Sequence, residues 1–316
     1  MSRTRLGFLS LIFVASATVP ATSAHAATSS CETTASGYRC LVGPFEVGRG
    51  EMVETVTAVA APPEAGYITS GRATLVDGDG ARVSHHMVHL HHAVWLNPAR
   101  EDLTCESYAG VAPNYDRFFA TGKERTKLEL PPGHGYHWSN EAPPGYEGYD
   151  PFWVLVAHLD GMHGSSDVYI QFDVDFVPDA DAVGIVDVRP VWLDVRNCSL
   201  DPVFTVAKGS GAHGTYRERW DYSMPIGGNF VFIGGHLHDG GLKLKLRNIT
   251  TGTKVFTSTA GYAKEKDPWY LTSMSTFSGV PGVGVSAGNE LRLTAVYDST
   301  HRWEDVMGIM VGMLVP

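Results

Sequence analysis

Apolar and polar residues alternate with a period of two along several stretches of this chain, and that pattern admits little besides half-buried antiparallel strands. Val168, Ile170, Phe172, Val174 and Phe176 form one apolar face, opposed by Gln171, Asp173 and Asp175. Leu242, Leu244 and Leu246 alternate with Lys243, Lys245 and Arg247, and Leu291, Leu293 and Ala295 with Glu290, Arg292 and Thr294. With 35 Gly and 18 Pro, the chain keeps no long helical pattern. Asp77-Gly78-Asp79-Gly80 separates two short apolar runs, a hairpin signal because Gly accepts positive φ at a tight turn. An all-β sandwich is the simplest architecture.

The 316 residues, 43% apolar and 18% charged, rule out disorder and suggest two domains. Pro178-Asp179-Ala180-Asp181 follows a long strand and marks the best seam, dividing the mature chain into β domains at 27–182 and 183–316. The segment between Pro131 and Pro151, rich in Gly, Pro, Tyr and His, reads as a long loop. The formal charge is −10, so nucleic acid is a poor partner. Arg3 and Arg5 precede the apolar run from Leu6 to Val19, and Ala24-His25-Ala26 supplies small residues for cleavage. Residues 1–26 therefore read as a signal peptide, and the mature protein is expected to be secreted with no membrane span. The four cysteines fit an oxidising compartment. Cys31 and Cys40 bracket a short Gly-containing loop, the easiest closure, which leaves Cys105 and Cys198, whose pairing stays open.

Five of the 14 histidines fall at 85, 86, 89, 91 and 92. Neutral imidazole suits copper, zinc, iron or nickel. On an ideal strand His85, His89 and His91 share one face and His86 and His92 the other. Adjacent His91 and His92 can serve one ion only if a bulge or strand end turns both side chains the same way. A surface strand with adventitious metal affinity is the plainer alternative.

A second set is Gly234-Gly235-His236-Leu237-His238-Asp239-Gly240-Gly241. Histidines two apart on a strand point to the same side, the arrangement two ligands of one ion need. Met307, Met310 and Met313 make the third. Thioether sulfur is a soft ligand that selects Cu(I), although methionines at such spacing also fill cores. On a strand Met307 and Met313 face one way and Met310 the other.

The order of these motifs resembles the copper type II, ascorbate-dependent monooxygenases, a family that includes peptidylglycine α-hydroxylating monooxygenase and dopamine β-monooxygenase. His91-His92-Ala93-Val94-Trp95-Leu96 looks like the family's His pair, and Val154-Leu155-Val156-Ala157-His158 like the strand with its third ligand. His85-His86-Met87 copies the pair's letters more literally, but His91 and His92 fit the flanking strand better. His236 and His238 match the second site's H-x-H, and Met307 its distant Met. The second half is also similar to plant stress-upregulated nodulin-like proteins, in His236-Leu237-His238-Asp239-Gly240-Gly241 and the stretch from Gly308 to Met313.

The resemblance implies two jelly-roll-like antiparallel domains and two coppers per chain. One copper would be held by His91, His92 and His158, the other by His236, His238 and Met307. Ascorbate would act as reductant, dioxygen would bind at the Met-containing site, and a C–H bond of a small or polymeric substrate would be hydroxylated. A secreted copper-binding protein that turns over nothing is the alternative. Asp160 and Asp239 are candidates to orient ligand imidazoles, or else plain turn residues. The family's grip on a substrate carboxylate is missing. An Arg stands two residues before the H-x-H in peptidylglycine hydroxylases, and an Asn and a Tyr follow the Met. Here Gly234, Ile309 or Met310, and Val311 occupy those places. A non-carboxylate substrate is the expectation, supported by the chain's negative charge.

Overall fold

The alternating segments pair, almost throughout, as antiparallel strands. The computed structural model describes residues 28–105, 114–199, 202–263 and 269–316, so the leader lies outside the described residues. The first eleven strands are β1 (Thr28–Thr33), β2 (Gly37–Val47), β3 (Met52–Ala60), β4 (Gly66–Val76), β5 (Val88–Glu101), β6 (Tyr115–Gly122), β7 (Leu128–Glu129), β8 (His134–Trp138), β9 (Phe152–Gly161), β10 (Ser165–Pro178) and β11 (Val186–Asp187). The rest are β12 (Arg189–Asp194), β13 (Phe204–Val206), β14 (Thr215–Ser223), β15 (Gly228–Leu237), β16 (Gly241–Asn248), β17 (Thr253–Tyr262), β18 (Leu271–Met274), β19 (Phe277–Val285), β20 (Glu290–Asp298), β21 (Trp303–Val306) and β22 (Gly308–Val315). Among the described residues one short 3-10 turn, Asp179–Asp181, is the sole helical element. Among the described residues no helix is long and apolar enough to cross a membrane.

The strands assemble into five sheets. In the first half, the order β1-β2-β10-β4-β8-β11, with β7 beside β4, faces a sheet ordered β3-β9-β5-β6. The second half pairs β12-β22-β15-β19 with β14-β20-β16-β17-β18, and β13-β21 forms a separate ribbon. The architecture is thus an all-β, multi-sheet sandwich, less tidy than a pair of jelly rolls. β11 is still bonded to β8 of the first half and β12 already to β22 of the second, so sheet membership changes at Val188.

The alternation in β10 is realised residue by residue: Val168, Ile170, Phe172, Val174 and Phe176 are buried and their neighbours are not. Of the three leucines of β16 only Leu244 and Leu246 are buried, and a bulge falls between Gly241 and Lys243, at Leu242. The Asp77–Gly80 hairpin forms, with Val83 donating to the Leu75 carbonyl. The expected loop between Pro131 and Pro151 instead contains β8, whose Tyr136 and Trp138 are fully buried. Aromatic packing overrides the Gly and Pro content there: Tyr136 stacks on Phe118, and Trp138 meets Trp153 edge-on.

Two apolar cores result. One is built on Trp95, Trp153, Phe118, Phe119 and Phe172, the other on residues such as Ile233, Leu244, Leu293 and Leu314. They meet face to face. Val94 and Ala120 from β5 and β6 pack on the second core, while Val231, Phe232 and Met313 belong to the first. Arg117 of β6 pairs with Asp102 at 2.8 Å and lies over the Trp192 ring, pinning this seam. Both cysteine pairs are bonded. Cys31–Cys40 links partners on β1 and β2, and Cys105–Cys198 ties the loop after β5 to the segment after β12.

Candidate metal centre

Strand β5 carries Ala93 and Trp95 into the first core and turns His92 and Val94 toward the second half. By simple alternation His91 points inward with Ala93. The ladder between β5 and β9 prevents this: Leu90 is opposite Leu159 and His92 opposite His158, leaving His91 as an extra residue in a β-bulge. The bulge brings His91 to the same side as His92, and their Nδ1 atoms approach to 3.3 Å. His158, directly across the ladder, closes the group with its ring 4.1 Å from that of His92. The donor atoms of His91, His92 and His158 lie within 4.8 Å of one another.

His236 and His238 come from the end of β15 and meet the first group across the seam. The rings of His91 and His238 are 4.3 Å apart, and those of His92 and His236 6.3 Å. Donor atoms of His92, His236 and His238 form a second triplet within 4.8 Å. The two triplets share His92. Five imidazoles therefore make one cluster astride the two sandwiches, where the sequence suggested one site in each half. A third group of metal-ligand type, Cys105, Asp194 and Cys198, is spent on a disulfide.

The second pair is oriented from outside. His236 Nδ1 lies 3.0 Å from the buried Glu124 carboxylate, and His238 Nδ1 donates to the Asp305 carbonyl at 2.7 Å. Both Nε2 atoms are buried without a hydrogen-bond partner. A buried lone pair left unsatisfied is costly, and an imidazole whose Nδ1–H is held by a carboxylate or carbonyl is the usual form of a metal ligand. In the first group the Nε2 side faces carboxylates at longer range: His91 to Asp160 at 4.0 Å and His158 to Glu54 at 3.6 Å. The Nδ1 atoms of His91 and His92 face each other, so metal ligation by this pair would use Nδ1 and by the second pair Nε2.

Three of the five rings, those of His91, His92 and His238, are held neutral. Burial, reinforced by Lys123 and by neighbouring imidazoles, lowers His91 to about 3. Burial also holds His92 and His238 well below the ordinary imidazole value, with the surrounding histidines adding to the effect. Free lone pairs on neutral rings are what a cationic metal requires. The donor set fits copper, zinc or nickel.

Of the other sequence candidates, Asp239 orients no imidazole: it accepts from Lys123 at 3.2 Å and from the Leu271 amide at 3.0 Å. His85 and His86 precede β5 in a turn, not a strand, closed by Met87 donating to the Ser84 carbonyl. Neither they nor His89 enter the two triplets. Met307 falls between β21 and β22, two residues after Asp305, which adopts φ 50° within β21. It packs in the second core with Met310, while Met313 belongs to the first, so the expected common facing of Met307 and Met313 is not realised. Its carbonyl accepts the Tyr297 hydroxyl, which in turn accepts the His238 amide, tying Met307 to the H-x-H backbone. Glu124 and the Asp305 carbonyl are the orienting groups that sequence reading missed. No spacing rule points to either, since one lies 112 residues from its histidine and the other acts through its backbone.

No known protein family and no curated protein matches the chain. Among solved structures, the VP2 subviral particle of infectious bursal disease virus aligns over 95% of this chain and 74% of its own, at 13% identity and a TM-score of 0.23. The Sputnik virophage aligns over 98% and 90%, at 6% identity and a TM-score of 0.20. Likeness at this level carries no argument about function.

Proposed function

We propose that this is a secreted copper protein whose five-histidine cluster, His91, His92, His158, His236 and His238, binds the metal. The observation that carries the reading is the pair of buried, unpartnered Nε2 atoms on His236 and His238, aimed by Glu124 and Asp305 toward three further imidazoles. The two triplets supply ligands for two ions that share His92 or lie on either side of it. Met307, whose backbone carbonyl shares the Tyr297 hydroxyl with the His238 amide, is the candidate thioether ligand. Such a donor would bias its ion toward Cu(I). We propose further that residues 27–182 and 183–316 act as two copper-binding domains that build the centre jointly.

The chemistry proposed is ascorbate-dependent hydroxylation of a C–H bond with dioxygen. Bound copper would supply the redox capacity, and the chain's own residues supply placement and shielding. The bulge at His91 and the acceptors on His236 and His238 hold the ligands in place, and burial excludes water from most of them. Gly234 and Val311 face each other in register between β15 and β22. Neither carries a donor, so this face has no anchor for a substrate carboxylate. Beside it, Phe118, Phe119, Phe232, Val311 and Met313 form an apolar lining that reaches His236.

The test is a copper titration followed by an oxygen-uptake assay with ascorbate. Saturation near two equivalents and copper-dependent uptake with a substrate panel support the monooxygenase reading. Stoichiometric binding without uptake leaves a copper-binding protein, and no binding above a His158→Ala, His236→Ala variant refutes both.

A further inference from the structure

A cavity of about 180 Å³ opens beside the histidine cluster and belongs to neither triplet. Gly122 is the wall between them. It lines the cavity, and a Cβ built there would lie 2.8 Å from the His236 ring and 2.9 Å from the Glu124 carboxylate. The remaining lining combines apolar residues such as Leu75, Val83 and Val88 with Arg82, Lys123 and Arg125. Three cations and no carboxylate line this space in a chain whose net charge is −10. Lys123 is paired with Asp239, but among the described residues neither Arg82 nor Arg125 has an ion-pair partner. On the inner wall His89 is 7% exposed, and its Nδ1 is buried without a hydrogen-bond partner. The Tyr270 ring lies 5.1 Å from His85 and 5.4 Å from His89, giving the cavity a flat aromatic side.

Unpaired guanidinium groups over an apolar, aromatic floor are what a small organic acid meets in a binding site, its carboxylate on the cations and its body on the rings. We propose that this cavity binds a small organic carboxylate, independently of the proposed metal chemistry. The chain's overall charge favours neutral or cationic molecules at long range, but beyond about 8 Å that field is screened at physiological salt. Contact with Arg82 and Arg125 decides at short range. Arg125 is the principal anchor.

The full chain is titrated calorimetrically with benzoate, with its uncharged analogue benzamide and with inorganic phosphate, both metal-free and after copper loading. Benzoate is expected to bind the metal-free protein at least about tenfold more tightly than benzamide, and more tightly than phosphate. Arg125→Gly removes the guanidinium at a position whose φ of 53° glycine adopts freely, so the fold is not at risk. That variant should weaken benzoate about tenfold or more and leave the copper titration unchanged, with Arg82→Gln giving a smaller loss. Equal binding of benzoate and benzamide, phosphate binding as tight as benzoate, or no change in Arg125→Gly would overturn the proposal. Benzoate binding retained in a chain that takes up no copper would support the carboxylate site and sink the metal chemistry instead.

Discussion

The two halves of the histidine cluster are organised by different means. On β5 and β9 the backbone does the work: a one-residue bulge turns His91 outward, and the ladder sets His158 opposite His92. On β15 the strand offers only an H-x-H, and hydrogen bonds to the Glu124 carboxylate and the Asp305 carbonyl fix the two rings. The lesson concerns where tolerance lies. A site held by register survives changes in its surroundings but not in its ladder, and a site held by acceptors is the reverse.

The largest effect should come from the residue common to both triplets. His92→Ala is expected to abolish tight copper binding altogether, whereas His158→Ala and His236→Ala should each remove one equivalent, as read by titration against a chelator. If His92→Ala costs a single equivalent, the triplets do not share a ligand and the two halves work independently.

The seam on which the cluster depends can be loosened without touching it. Cys105–Cys198 closes a separation of 93 residues and Cys31–Cys40 one of 9. On the chain-entropy account the first contributes about 4–5 kcal/mol and the second about 2–3 kcal/mol. Urea unfolding of the two double Cys→Ala variants should preserve that order, and only loss of the first pair should also weaken copper. Equal losses would show that the seam is held by packing alone.

Next in size are the orienting groups. Glu124→Ala should weaken the second triplet about 10–100-fold. Asp160→Ala and Glu54→Ala, whose carboxylates stand at 4.0 and 3.6 Å, should weaken the first by less than tenfold. Chelator competition measures both, and a larger effect at Asp160 would reverse the contrast. The smallest effect on the fold is expected from deleting His91. Leu90 and His92 keep their partners Leu159 and His158 in a regular ladder, so the thermal midpoint should barely move while the first triplet loses a ligand. A collapse of stability would show that the bulge is needed by the sheet itself.

Much of this molecule is legible in its sequence because period-two patterning is a local property. The strand at Val168–Phe176, the hairpin at Asp77–Gly80 and the all-β class follow from side chains that must alternate between core and water. The residue types of the site are equally local: a paired histidine, an H-x-H and a third histidine carry ligand chemistry wherever they fold. What the sequence could not determine is set by contacts between distant segments. β8 exists because Tyr136 and Trp138 find aromatic partners from β6 and β9. Met307 falls in the gap between β21 and β22 and packs in the second core, which no residue pattern announces. Above all, the merging of two ligand sets into one cluster required the outer faces of β5 and β15 to meet. Ligand identity belongs to the side chain and is written in the sequence, but distance between ligands belongs to the packing of two sheets, and only the tertiary structure decides it.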